Sequence, residues 1–248
     1  MILLLLYGIL MFIARDLGIY FEDIIEESYS LFSNYKIENS INFNQEYSGL
    51  IKRRLLNNRL TDISFLDLKD YYGSPYSYEY SDNEVKYFLP RLIDLFIHGY
   101  NLFINELEVF YLLDQVSFWN ANEVELMKKF SLKYFNTMIN YYFNDDILNL
   151  FFIFRCEVFS SNRFLDEWLE LRNIQSLIAF SEMLSSNGYF ENIEIINEDI
   201  ESKIFLWSKN IKVKDAFENI VYENLDEISL LEDEIRYNIQ YMLDFYWK

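Results

Sequence analysis

Turn-forming residues are scarce in this chain: six glycines and two prolines punctuate 248 residues. A β-sandwich or barrel reverses direction many times, and its turns lean on glycine and proline for their backbone angles. Long stretches without either favour helices, whose backbone hydrogen bonds close inside the segment. The apolar spacing agrees. Ile24, Ile25, Ser28, Leu31 and Phe32 recur at the helical period, with Glu22, Asp23, Glu26 and Glu27 set among them. Hydrophobic residues reach 52% and aromatics 19%, so the chain can bury a real core and lacks the signature of disorder.

Local signals mark where helices begin. Ser64-Phe65-Leu66-Asp67 has the S-x-x-D form of a capping box and predicts a short helix that stops at Gly73. Ser81 with Glu84 opens another, in which Pro90 predicts either a kink or a new first turn. Asn120 and Glu123 start a helix expected to reach Phe143. Further helices are predicted over Tyr47–Leu56, Asn105–Leu113, Asp146–Val158, Asn162–Leu171 and Ile174–Ser185. Three more cover Glu198–Lys209, Val213–Glu223 and Ser229–Tyr246, and one short strand pairing could form near Glu191–Ile196. The expected fold is all-α, an irregular multi-helix bundle or a helical-repeat-like superhelix. No fixed repeat period is present. A single domain over residues 1–248 is expected, with a possible sub-domain break near residue 160, at Ser160-Ser161.

Charge narrows the partners. Forty acidic residues against 21 basic ones leave a formal net charge of −19. Such a surface repels nucleic-acid phosphate and suits a basic protein. One cysteine, Cys156, excludes an internal disulfide and a multi-cysteine metal site. Its apolar setting, Phe151 to Arg155, predicts a buried thiol and fits a reducing, cytoplasmic location. Residues 2–13 carry no charge. As a helix they would rise about 20 Å, short of the roughly 30 Å hydrocarbon core of a bilayer. No lysine or arginine precedes them, unlike a signal peptide. They are expected to form a buried helix, with membrane contact as the alternative.

The stretch Glu84-Val85-Lys86-Tyr87-Phe88-Leu89-Pro90-Arg91-Leu92-Ile93-Asp94-Leu95 resembles a family of uncharacterised bacterial all-helical proteins with a K-[YH]-F-L-P-R-[IL]-L-E-L type motif. Leu60 to Leu68, Leu107 to Tyr111, Trp119 with Glu123, Phe164 to Leu169 and Leu206-Trp207-Ser208 are similar in order, over roughly residues 22–246. Family members often carry a Cys-x-x-Cys pair where this chain has Ile41 to Gln45 and no cysteine. An aromatic-Trp-Gly stretch before the proline motif is replaced by Ser77-Tyr78-Glu79-Tyr80. The resemblance implies an all-helical fold and no particular activity.

His98 is the one imidazole, and Arg91 precedes it by seven positions, two helical turns away on one face. The R-x6-H spacing resembles the signature of the HEPN helical ribonucleases, in which the arginine would contact phosphate and the histidine would transfer protons. The alternative roles are structural: His98 as a helix end before Gly99, and Arg91 in an ion pair with Glu84 or Asp94. Carboxylates cluster at Glu22-Asp23, Glu26-Glu27, Asp145-Asp146, Asp166-Glu167, Glu198-Asp199 and Glu232-Asp233-Glu234. Bundle metal sites usually add a Glu-x-x-His ligand pair, and none is present. No H-E-x-x-H, phosphate-binding loop, G-x-S-x-G or dinucleotide fingerprint occurs. No catalytic, cofactor-binding or metal-binding residue and no cofactor is therefore assigned. The expectation is a non-enzymatic, acidic protein-binding protein, immunity- or antitoxin-like. The alternatives are a HEPN-like ribonuclease using Arg91 and His98, or a protein anchored by residues 2–13.

Overall fold

A computed structural model describes residues 17–37, 49–72, 81–99, 113–114, 116–141, 147–154, 156–159, 162–185 and 200–247. Every regular element among them is helical and none is a strand, so the all-α expectation holds. The apolar segment 2–13, nearly all of the predicted helix Asn105–Leu113, the strand pairing near 191–196 and the Ser160-Ser161 break lie outside the described residues. Two compact units emerge, Met1–Lys129 and Phe130–Lys248.

In the first unit the helices are α1 (Gly18–Leu31), α2 (Gly49–Asn57), α3 (Phe65–Tyr72), α4 (Asp82–Ile97) and the start of α5 (Ala121–Tyr141). Helix α4 is the spine. Its Phe88, Leu89, Leu92 and Leu95 are all buried, as are Phe21 and Ile24 of α1, which packs on it. The Leu17 N–H donates to the Ile97 carbonyl at 3.0 Å and ties the entry of α1 to the exit of α4. At Ser64 the hydroxyl accepts from the Asp67 N–H at 3.1 Å and donates to the Asp67 carboxylate, and the starts expected at Ser81 and Asn120 form full capping boxes. Ser81 Oγ accepts from the Glu84 N–H while Glu84 Oε2 accepts from the Ser81 N–H at 3.0 Å, and Asn120 with Glu123 repeats the arrangement on α5. Pro90 lies inside α4, which continues to Ile97. Proline removes only the bond to the Lys86 carbonyl, and the buried flanks of α4 hold the rest of the helix together.

The second unit continues α5 and adds α6 (Ile147–Ile153), α7 (Asn162–Leu171), α8 (Ile174–Ser185), α9 (Ile200–Ser208), α10 (Ile211–Glu223), α11 (Leu225–Ser229) and α12 (Asp233–Tyr241). Two predicted helices are corrected. The one expected over Asp146–Val158 stops at Ile153, and a 3-10 turn follows at Glu157–Phe159. The break lets Phe154 and Phe159 meet edge-on at 5.0 Å while both contact Phe130, an arrangement that core packing selects over helix continuation. The one expected over Ser229–Tyr246 begins at Asp233 and ends in a π-turn at Met242–Tyr246. Helix α12 lies along α8.

Trp168, Phe180 and Phe217 are fully buried in this unit, and Trp207 is half-buried. Phe180 stacks on Phe217 at 4.1 Å and on Trp247 at 5.9 Å, and Trp168 stacks on Trp207 at 5.6 Å. These rings form core and not a stacking platform. Cys156 is buried, as its neighbours predicted.

Candidate functional site

Arg91 and His98 come together, but around an acid. Arg91 sits on α4, donating through Nε to the Ile63 carbonyl at 2.8 Å and through an η nitrogen to Asp94 Oδ2 at 2.6 Å. His98 caps the C-terminus of α4, where Gly99 takes the left-handed angle (φ 76°) that glycine tolerates best. Its Nδ1 lies 2.8 Å from the Asp94 carbonyl and 3.1 Å from Asp94 Oδ1. The Tyr29 hydroxyl donates to Asp94 Oδ2 at 2.9 Å. Burial first, and then the Asp94 charge, raise the Tyr29 phenol well above its ordinary range, so it remains a donor.

The Asp94 carboxylate thus accepts from α1 and from its own helix, and Arg91 adds a bond to the 3-10 turn Leu60–Asp62 at its exit residue Ile63. That is a bracket between three elements. A phosphate-binding arginine needs its fork aimed at a ligand. Here two of the Arg91 nitrogens are committed to Ile63 and Asp94.

A second polar centre was not foreseen from the sequence. Lys86 and Glu123 form an ion pair at 2.8 Å with side chains only 4% and 1% exposed. The Lys86 ammonium also donates to the Phe118 carbonyl and lies 5.1 Å from the Tyr35 ring centre and 5.0 Å from that of Trp119. Tyr35 donates a short hydrogen bond to Glu123. The signal was available: Lys86 stands three residues before Leu89 and seven before Ile93, on the apolar face of α4.

Arg54 pairs with the buried Asp67 at 3.0 Å, and Arg59 pairs with Asp62 at 2.8 Å. Among the acidic clusters, Asp23 and Glu27 share Lys129, and Glu167 faces Arg163 at 3.6 Å. Asp145-Asp146 and Glu198-Asp199 lie outside the described residues. Among the described residues no three His, Cys, Asp or Glu side chains converge as metal ligands would. Among the same residues, no helix is long and apolar enough to cross a membrane.

Glu232-Asp233-Glu234 belongs to a different kind of surface. From Tyr222 through Asn238 not one side chain is buried. The run covers the end of α10, all of α11 and the first two thirds of α12, and α11 has no fully buried residue. Large apolar groups stand in water there: Tyr222 is 70% exposed, Leu225 57%, Leu230 85% and Tyr237 68%. Glu223, Asp226, Glu227, Glu232, Asp233 and Glu234 surround them, against a single cation, Arg236. Arg236 is itself held by Asp233 and by the Ser229 carbonyl.

Set against known protein families, curated proteins and solved structures, the chain matches no family model, no curated protein and no solved fold.

Proposed function

We propose that the chain is a non-catalytic protein-binding protein that engages a basic partner through an acidic, tyrosine-bearing surface. The observation that carries this reading is the Tyr222–Asn238 run, where exposed tyrosines and leucines are interleaved with carboxylates and no side chain is fully buried. Tyrosine supplies large contact area at low entropic cost and is enriched at protein interfaces, and concentrated negative charge speeds encounter with a basic protein. An immunity- or antitoxin-like role, covering a basic toxin domain, is its concrete form. A cytoplasmic location is part of the reading, since the lone thiol needs no oxidising compartment.

The test is affinity capture with the immobilised chain, followed by kinetics with the purified partner. The expected partner is basic, its on-rate falls as salt rises, and His98→Ala binds like the parent. A partner that binds with salt-independent kinetics overturns the reading. So does RNA cleavage by the purified chain that disappears in His98→Ala: the shared engagement of Arg91 and His98 with Asp94 would then be catalytic. General acid–base catalysis is typically worth about 10²–10⁴-fold, so that loss is easily read.

A further inference from the structure

The occupant of the Tyr222–Asn238 run can be narrowed by asking what each class of partner does to its charges. The run is held at both ends by buried residues, Val221 and Ile239, so it is presented in a set conformation between two anchors. Within it, Arg236 bonds the Ser229 carbonyl at 3.1 Å and draws the start of α12 onto the end of α11. Leu225 opens α11 and Leu230 follows its last residue, both exposed, while Ile228 and Leu231 between and beside them are partly buried. A one-turn helix has little stability of its own, and this one has no fully buried side chain to hold it.

Covering the leucines with any partner also draws nearby carboxylates out of water, which is costly unless cations pair with them. A second copy of the chain would bring the same carboxylates face to face. Nucleic acid and anionic lipid would bring phosphate against them. A neutral apolar partner would leave them unpaired. A cationic polypeptide with apolar side chains meets both demands, and arginine suits it best because its fork pairs with carboxylates bidentately.

Resting on the acidic-docking reading above, we infer that this run is the docking site for an amphipathic, arginine- or lysine-rich polypeptide segment whose apolar face covers Leu225 and Leu230. The carboxylates set the rate of encounter and the leucines set the lifetime of the complex.

Fluorescence anisotropy with the full chain and two labelled synthetic peptides tests this. One peptide alternates arginine and leucine at helical spacing; the other keeps every arginine and replaces the leucines with serine. The amphipathic peptide is expected to bind at least about tenfold tighter, since burying one leucine is worth that much or more. Leu225→Ser with Leu230→Ser should reduce it to the level of the charge-only peptide. Ile19→Ser, at an apolar residue 84% exposed beside the Glu22-Asp23 cluster of the other unit, should change nothing. Equal binding of the two peptides, or an effect of Ile19→Ser in place of the leucine pair, overturns this site while leaving acidic docking standing. Failure of both peptides to bind overturns both. Sedimentation is the last arm: self-association of the parent chain that vanishes in the leucine variant would make a second copy the occupant and overturn the inference.

Discussion

Lys86 and Glu123 carry the highest electrostatic stakes of any described pair, because both charges lie almost wholly out of water. The attraction between them and the hydrogen bonds to the Phe118 carbonyl and from Tyr35 offset a large desolvation cost. Removing one partner strands the other. Lys86→Ala is expected to cost about 3–5 kcal/mol in chemical denaturation. Lys86→Met combined with Glu123→Leu should recover much of that loss, because no buried charge is left behind. Glu182 poses the opposite case. Burial, and then the charge of Glu234, push its carboxyl from an ordinary 4.5 up to about 7. The folded chain therefore holds that proton more tightly than the unfolded chain does. Its stabilising contribution is full below about pH 4.5 and is lost as pH rises through about 7. Glu182→Gln should match the parent near pH 4.5 and melt above it at pH 8, with solvent at the half-buried carboxyl trimming the gap.

At the scale of the elements, α4 and α11 are opposites. Helix α4 buries Phe88, Leu89, Leu92 and Leu95 and starts in a full capping box. Leu92→Ala leaves a cavity there and is expected to cost about 2–5 kcal/mol by denaturant titration. Helix α11 has no fully buried side chain. Leu225→Ser and Leu230→Ser should therefore shift stability by no more than about 0.5 kcal/mol each, although both residues are as apolar as Leu92. A larger loss would mean that these leucines pack within the chain, which would remove the reason to regard them as a docking surface. The Arg91, Asp94, His98 and Tyr29 bracket belongs at this scale too, since its bonds join α1, α4 and the turn at Ile63. His98→Ala should cost roughly one hydrogen bond, about 0.5–1.5 kcal/mol.

For the molecule as a whole the dominant quantity is a net charge of −19. Self-repulsion at neutral pH is expected to keep the exposed leucines and tyrosines of separate copies apart. Near the sequence isoelectric point, pH 4.4, that protection disappears. Light scattering across a pH titration should rise to a maximum there, and serine at positions 225 and 230 should lower the peak. A scattering maximum near neutral pH would show that the acidic surface is already compensated.

The helical class, the capping boxes at Ser81 and Asn120, the burial of Cys156 and the His98 helix end before Gly99 were all legible in the sequence. Each rests on interactions within a few residues, or on periodicity that a single helix face expresses. The helix break after Ile153 was not legible. It depends on Phe154 and Phe159 meeting Phe130, and contacts between remote rings leave no local mark. The Arg91–Asp94 bracket was half legible: the pair is near in sequence, whereas Ile63, bonded to Arg91, and Tyr29, bonded to Asp94, arrive only through the fold. The Lys86–Glu123 pair was concealed by the same distance, 37 positions along the chain. Composition alone showed an excess of acid and an abundance of aromatic residues without ranking one acidic cluster above another. Tertiary structure did the ranking, because only packing decides which apolar residues the core consumes and which, like Leu225 and Leu230, it leaves in water.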